Sequence, residues 1–108
     1  MPDALAPDTL SPEDAKLVTL ARAARARVGA VEGAAVRDTD GRTYAGATVD
    51  LPSLQVSAVQ VCVAMAVSSG SKGLEAAVVL TAADEVAPAD RAVVEEFGGA
   101  GVVIHRGR

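Results

Sequence analysis

The stretch that decides the fold is VEGAAVRDTDGRTYAGATVD, residues 31–50. It has small and β-branched residues on both sides of Asp40-Gly41, a dipeptide typical of hairpin turns. The pattern predicts two antiparallel strands, Ala30–Arg37 and Thr43–Val49.

Working outward toward the N-terminus, a helix is predicted before the hairpin. Ser11 is a good N-cap, Pro12 suits the first turn, and apolar residues continue at helical spacing to Val28, where Gly29 ends the helix. Residues 1–10 lack periodicity, so we expect a flexible N-terminal arm before a single domain over residues 11–108.

After the hairpin, helices and strands alternate. We predict a helix over Leu54–Ser69 capped by Ser53, a buried strand over Leu74–Thr81, a helix over Ala89–Phe97 that starts near Pro88, and a last strand over Gly101–His105. Strands separated by helices should run parallel through right-handed crossovers. The chain is therefore expected to be an α/β protein of order α-β-β-α-β-α-β with a mixed sheet.

The predicted helix Leu54–Ser69 contains no charged residue. A helix that is apolar nearly all round is buried on more than one side. A chain of this length can cover one side with its own sheet, so we expect a homo-oligomer formed through this helix.

Composition limits the other partners and the compartment. The chain has 108 residues, a formal net charge of −4 and only two aromatic residues, so nucleic-acid binding is not favoured. The Arg22, Arg25 and Arg27 cluster is interpreted as a solvated helix face. No signal peptide or membrane span is visible, and the single cysteine suits a reducing compartment, so we expect a cytoplasmic protein.

Metal ligands are scarce. Structural zinc takes four ligands, usually Cys or His, and catalytic zinc about three, whereas this chain has only Cys62 and His105. Cys62 lies on a predicted buried helix and is interpreted as a small core residue. His105 ends a predicted strand and is interpreted as a sheet-end or surface histidine. We predict no metal site and no cofactor.

Three segments resemble the small cytidine deaminases. Residues 31–50 are similar to the family's opening strand, Asp-Gly turn and second strand. Residues 66–70, AVSSG, resemble the A-V-S-x-G ending of its central helix, and Arg91–Phe97 resembles the helix that follows its Pro-Cys-x-x-Cys motif. The resemblance covers about residues 16–105 and implies a three-layer cytidine deaminase-like fold.

The resemblance also implies where a zinc site would lie. In that family a Cys or His and two further cysteines hold zinc, and a glutamate moves protons while the zinc-bound hydroxide attacks the pyrimidine. These positions fall on Ser57 for the first ligand, Val59 for the glutamate, and Ala87 and Asp90 for the two cysteines. None of the four keeps the family's residue, so the resemblance implies a degenerate member.

A nucleoside is the ligand that the resemblance implies. The family's sugar-binding asparagine and glutamate fall on Thr48 and Asp50, which remain polar. Together with Ser57 they are the predicted remnant of a ligand pocket.

Two functions from different classes follow. The first is a non-catalytic, cytidine-deaminase-like protein that acts as an oligomeric binding or assembly module. The alternative is a cytidine or nucleoside deaminase with an unconventional site, whose hydroxide source would be built from Ser57, Asp50, Asp90 or a partner subunit. A nucleic-acid accessory protein would rest only on the Arg22–Arg27 cluster and the Arg106 and Arg108 tail.

Overall fold

The first helix has the ends that Ser11 and Gly29 predict. In the computed structural model, which describes residues 10–108, helix α1 spans Pro12–Val28. The Ser11 hydroxyl accepts a hydrogen bond from the Asp14 backbone N–H at 3.1 Å, and Gly29 ends the helix in a left-handed conformation with φ 69°. The predicted flexible arm over residues 1–10 lies, except for Leu10, outside the described residues.

The central hairpin forms around the Asp40-Gly41 turn. Strands β1 (Gly33–Asp38) and β2 (Thr43–Ala47) pair antiparallel, as predicted. The first strand begins later than the predicted Ala30, because residues 30–32 connect it to α1. Within this connection the Arg25 guanidinium donates a hydrogen bond to the carbonyl of Val31 at 2.8 Å.

The structure adds a second hairpin that the sequence analysis missed. The predicted strand Thr43–Val49 ends at Ala47, and strands β3 (Val49–Leu51) and β4 (Leu54–Val56) form a separate antiparallel pair. The prediction of a helix from Leu54 was therefore wrong over its first four residues. Helix α2 spans Ala58–Ser68 and is capped by Ser57 rather than Ser53.

The remaining elements complete a mixed sheet. Strand β5 (Leu74–Leu80), helix α3 (Pro88–Gly98) and strand β6 (Val103–Gly107) follow, and the sheet order is β2-β1-β5-β6. The β5–β6 pair is parallel and the β1–β5 pair is antiparallel, so the predicted mixed sheet is confirmed. The last strand starts two residues later than predicted, because Val102 donates its N–H to the carbonyl of Gly99 in a turn at 3.3 Å.

The helices cover the four-stranded sheet on both faces. Alternate residues of a strand point to opposite faces. One face packs under α1, through a cluster composed of Leu17, Val18, Ala21, Ala35, Ala76, Val78 and Leu80. The other packs under α2 and α3, through a cluster that includes Ala34, Val36, Ala58, Val59, Cys62, Val63, Ala66, Ala77, Val79 and Val94. Within residues 10–108 the structure shows no helix long and apolar enough to cross a membrane.

Two glycines let the helices approach this sheet closely. A Cβ on Gly33 would lie 2.3 Å from the carbonyl oxygen of Ala21 in α1, and one on Gly46 would lie 2.7 Å from the side chain of Val61 in α2. Real Cβ atoms do not come that close to other atoms. Both strands therefore need glycine where a helix crosses them.

A buried carboxylate organises the end of the central hairpin. Asp38 is fully buried and accepts hydrogen bonds from the backbone N–H groups of Asp40 and Arg42, both at 2.9 Å. Its other oxygen accepts from the hydroxyls of Ser71 at 2.5 Å and Tyr44 at 3.3 Å. The carboxylate thereby joins the β1–β2 turn to the connection between α2 and β5.

Because of this arrangement, the free energy of unfolding depends on pH in the acidic range. The Ser71 hydrogen bond is the largest influence on the pKa of Asp38 and lowers it below its ordinary value of 3.8, with further lowering from the two backbone N–H groups against the opposing effect of burial. A carboxyl group whose pKa is lower in the folded than in the unfolded state stabilises the fold at pH values above its pKa in the unfolded state. That contribution is lost as the pH falls through the folded pKa, below 3.8.

We expect Asp38→Asn to lower the denaturation midpoint at neutral pH and to weaken the loss of stability below pH 3.8, because the amide carries no charge to titrate. Urea titrations at several pH values would measure both effects. Asp40→Asn, an exposed position in the same turn, is the matched control. Equal midpoints and equal acid dependence in Asp38→Asn and wild type would contradict the assignment.

Candidate functional site

The first side chain of the candidate site is fixed by the start of α2. The Ser57 hydroxyl accepts a hydrogen bond from the Gln60 backbone N–H at 3.1 Å, and the Gln60 side-chain oxygen accepts one from the Ser57 N–H at 3.0 Å. This reciprocal pair is a capping box. It holds the Ser57 hydroxyl at the N-terminus of α2.

The second side chain belongs to the first turn of α3. That helix starts at Pro88, and its N-cap residue, Ala87, makes no side-chain hydrogen bond. Asp90 is only 3% exposed. The Ser57 hydroxyl donates a hydrogen bond to Asp90 Oδ1 at 2.6 Å, so the two residues join the starts of two helices from positions 33 apart in the chain.

The two remaining positions carry no polar side chain. Val59 is 1% exposed and packs within the core beneath α2 and α3, whereas Ala87 is exposed. We call Ser57, Val59, Ala87 and Asp90 together the helix-start site. The structure joins Ser57 and Asp90 directly, and it gives Val59 and Ala87 no group that binds a metal or moves a proton.

The donor set of the helix-start site does not fit zinc. Zinc sites take three or four thiolate, imidazole or carboxylate ligands. Here one carboxylate is present, and it already accepts the Ser57 hydrogen bond. Within residues 10–108 no group of three or more His, Cys, Asp or Glu side chains could hold a metal ion.

Cys62 is a core residue, as interpreted from the sequence. It is fully buried on α2, and burial raises the pKa of its thiol to about 12. The thiol is therefore protonated at neutral pH, whereas a nucleophile or a metal ligand must be a thiolate.

His105 is bound to α1, on the opposite side of the sheet from the helix-start site. Its Nε2 lies 2.9 Å from Asp14 Oδ2, and Asp14 Oδ1 accepts a hydrogen bond from Arg37 at 2.9 Å. Arg37 also binds Glu75 at 2.8 Å. Burial raises the pKa of Asp14, but the hydrogen bonds from His105 and Arg37 outweigh it and hold that pKa below its ordinary value of 3.8. The four side chains link α1, β1, β5 and β6.

Thr48 and Asp50 line an open hollow of about 490 Å³ near the C-terminus of α1. Its walls are formed by Val28, Gly29, Ala30, Val31, Thr48, Val49, Asp50 and Leu51. Val28, Val31 and Leu51 are each more than half exposed. Thr48 uses its hydroxyl to accept a hydrogen bond from the backbone N–H of Glu32 at 3.2 Å.

Ser57 does not line this hollow, although the backbone brings it near. Val49 pairs with Val56, so Thr48 and Ser57 are the next residues outward at the open end of the β3–β4 hairpin. The two hydroxyls have different partners, Glu32 and Asp90. Of the predicted pocket remnant, Thr48 and Asp50 therefore share a cavity, and Ser57 belongs to the helix-start site.

A second hollow, of about 460 Å³, lies before α3. It is lined by Ala83, Asp84, Glu85, Val86, Ala87, Pro88 and Arg91. Sequence reasoning did not single it out as a cavity, because its residues combine no catalytic or ligand motif.

Sequence reasoning also missed the capping box at Ser57. The pattern Ser-x-x-Gln at residues 57–60 was the signal that could have found it. No local signal indicated the Ser57–Asp90 contact, because the two residues belong to different helices.

The comparisons with known proteins agree with this architecture. The cytidine deaminase-like family model matches residues 10–108. The chain is similar to the crystal structure of cytidine deaminase from Mycobacterium tuberculosis, with 26% identity, a TM-score of 0.72, and coverage of 86% of this chain and 87% of that one. It is also similar to cytidine deaminase from Burkholderia pseudomallei, with 25% identity, a TM-score of 0.72, and coverage of 82% and 80%.

No curated protein sequence matches the chain. The family model nevertheless spans the whole described region, and the three-layer fold with a mixed sheet agrees with it. The chain belongs to the cytidine deaminase-like family.

Proposed function

We propose that this protein is a non-catalytic member of the cytidine deaminase-like family that acts as an oligomeric binding or assembly module. The observation that carries the proposal is the 2.6 Å hydrogen bond between Ser57 and Asp90. It joins two positions that the family resemblance assigns to zinc ligands. A hydroxyl and a carboxylate bound to each other leave no open metal position between them.

The chemistry of deamination supports the same proposal. Hydrolytic deamination needs an activated water and a group that carries protons to and from the substrate. At the position of the family's glutamate this chain has Val59, an aliphatic side chain that is 1% exposed. An aliphatic side chain moves no proton, and Val59 packs among core residues.

The buried thiol adds support for a reducing compartment, since Cys62 has no second cysteine in the chain to pair with. We therefore propose a cytoplasmic location.

A cytidine or nucleoside deaminase with an unconventional site is the second candidate. The similarity to structures that are named cytidine deaminases favours it. Its hydroxide source would have to come from Ser57, Asp50, Asp90 or a partner subunit. Asp90 is the buried acid of this set, and it already accepts the Ser57 hydrogen bond.

We expect protein purified without chelator to contain no stoichiometric zinc and to leave the absorbance of cytidine unchanged, because the helix-start site lacks the ligands and the proton carrier. Elemental analysis and a spectrophotometric assay would measure the two quantities. Near one zinc per chain, or turnover that depends on protein concentration, would contradict the proposal and favour the deaminase.

The binding version of the module has a candidate cavity in the hollow that contains Thr48 and Asp50. Its volume of about 490 Å³ is within the range of small-molecule sites. Val28, Val31 and Leu51 give it apolar walls, and Asp50 adds a carboxylate to its lining. A nucleoside presents an apolar ring face and several hydroxyl donors, which match these surfaces.

We expect millimolar cytidine or uridine to raise the melting temperature without turnover. A ligand at 100 times its Kd adds about 2.7 kcal/mol, and each kcal/mol corresponds to about 4–8 °C in a domain of this size. Thermal unfolding would measure the shift. Asp50→Ala, at an exposed position, should reduce it, whereas Asp84→Ala, exposed outside this hollow, should not. An unmoved melting temperature would contradict nucleoside binding and leave assembly as the function.

The sequence predicts self-association through residues Leu54–Ser69. In the structure this stretch contains strand β4 and helix α2. Leu54 is 53% exposed on β4, and Val67 is 51% exposed on α2. The inner side of α2 packs on the sheet, and Ala64 and Val67 lie on its exposed side. The helix has no acidic residue in its first turn and no basic residue in its last. We propose that the exposed side of α2 forms the contact between copies of the chain.

We expect sedimentation of the wild type at micromolar concentration to show an oligomer. Val67→Glu should weaken the association between chains at least about tenfold. A tenfold change corresponds to about 1.4 kcal/mol, and burying an ionised carboxylate in an interface costs more than that. Val103→Glu is the matched control, since Val103 is a valine on β6 that is 50% exposed, against 51% for Val67. A monomeric wild type, or equal effects of the two substitutions, would refute an interface on α2.

A further inference from the structure

The starts of α2 and α3 meet around one buried carboxylate. A helix N-terminus carries a partial positive charge, and two of them in contact repel unless an anion lies between them. Asp90 lies in the first turn of α3 and accepts the hydrogen bond of Ser57, the N-cap of α2. Its carboxylate therefore faces both helix starts.

We infer that the Ser57–Asp90 hydrogen bond takes over the structural role of a metal ion at the helix-start site, so that the two helices keep a metal-site arrangement without metal. The resemblance places zinc ligands at Ser57, Ala87 and Asp90. The donor set present there does not fit zinc, yet the same three positions are held together by protein groups alone. The inference concerns positioning and does not require the protein to be inactive.

The position of Ala87 supports this inference. Ala87 is the N-cap of α3 and Asp90 is the third residue of the helix. The Asp90 backbone N–H donates a hydrogen bond to the carbonyl of Ala87 at 3.0 Å, so the two positions are held together across the first turn. Since Ser57 contacts Asp90 directly, a side-chain and a backbone hydrogen bond connect the three positions.

The Ser57 hydroxyl performs two tasks at once. It accepts the capping hydrogen bond from the N–H of Gln60 and donates its proton to Asp90. Substitution of Ser57 therefore removes a cap and an interhelical bond together. Ser11 caps α1 with a comparable bond of 3.1 Å and so offers a matched control for the loss of the cap alone.

The first test is a double-mutant cycle read as melting temperature. Ser11→Ala should lower it by about 4–8 °C through loss of one cap. Ser57→Ala should lower it by about 10–20 °C, because it also leaves a buried carboxylate without its partner. The double variant Ser57→Ala/Asp90→Ala should lose at least about 5 °C less than the sum of the single variants, as residues in direct contact do.

Two further measurements complete this test. Asp90→Asn keeps an oxygen that accepts the Ser57 hydrogen bond, so it should retain more stability than Asp90→Ala. A chelator should leave the wild-type melting temperature unchanged. Additive losses in the cycle, or a chelator-dependent melting temperature, would overturn the inference.

The second test restores thiolates. The triple variant Ser57→Cys/Ala87→Cys/Asp90→Cys, kept reduced, should bind one zinc per chain and melt higher with zinc than without, because zinc-site formation is coupled to folding. The control Ser11→Cys/Ala87→Cys/Asp90→Cys has equally many cysteines, one of them at the N-cap of α1. It should bind zinc at least about tenfold more weakly, a difference of about 1.4 kcal/mol.

The outcomes separate this inference from the proposed function. If the triple variant and its control bound zinc with equal affinity, the helix starts would lack a metal-site arrangement. The same conclusion would follow if the triple variant bound no zinc and zinc did not restore its folding. Turnover of cytidine by the wild type would contradict the proposed function and leave the cycle and the zinc titration to decide the inference on their own.

Discussion

The structure depends on how closely two helices approach opposite faces of one sheet. The core contains mainly alanine and valine, whose side chains span only a short distance between layers. Gly33 under α1 and Gly46 under α2 remove the Cβ atoms that would hold the helices away. Dispersion contacts weaken steeply when packed atoms separate by even a fraction of an ångström. The small side chains and the two glycines therefore require one another.

The parts of the fold with local signals could be predicted from the sequence. The serine and glycine at the ends of α1 and the Asp-Gly turn carry their own conformational preferences, and the structure follows them. The β3–β4 hairpin could not be predicted, because the apolar run after Pro52 suits a strand or a buried helix equally well. Tertiary context decides between the two, with Leu51 opposite Leu54 across the turn.

The resemblance predicts which positions form the candidate site, and the contact between two of them is known only from the structure. The family resemblance assigns Ser57 and Asp90 to the positions of two zinc ligands. Nothing local in the sequence indicates that a serine and an aspartate so far apart are in contact. The Asp38 cluster had even less signal, since its partners Tyr44 and Ser71 belong to different segments and only folding brings their hydroxyls to the carboxylate. Such non-local polar contacts depend on the geometry of the finished fold, and the resemblance supplies positions without supplying contacts.

The hydrogen bond between the two helix starts has a consequence for evolution. A single substitution of Ser57 or Asp90 by cysteine removes a buried partner while still leaving too few ligands for a metal. Substitution of Ala87 by cysteine leaves the bond intact but supplies a single thiolate, so no single change toward a zinc site gives binding in return. A zinc site needs changes at two or three of these positions before it has three ligands, and at least one of those changes breaks the bond. Under the role inferred for this bond, selection for stability would oppose the change that breaks it, which would place an epistatic barrier between the present fold and a zinc site.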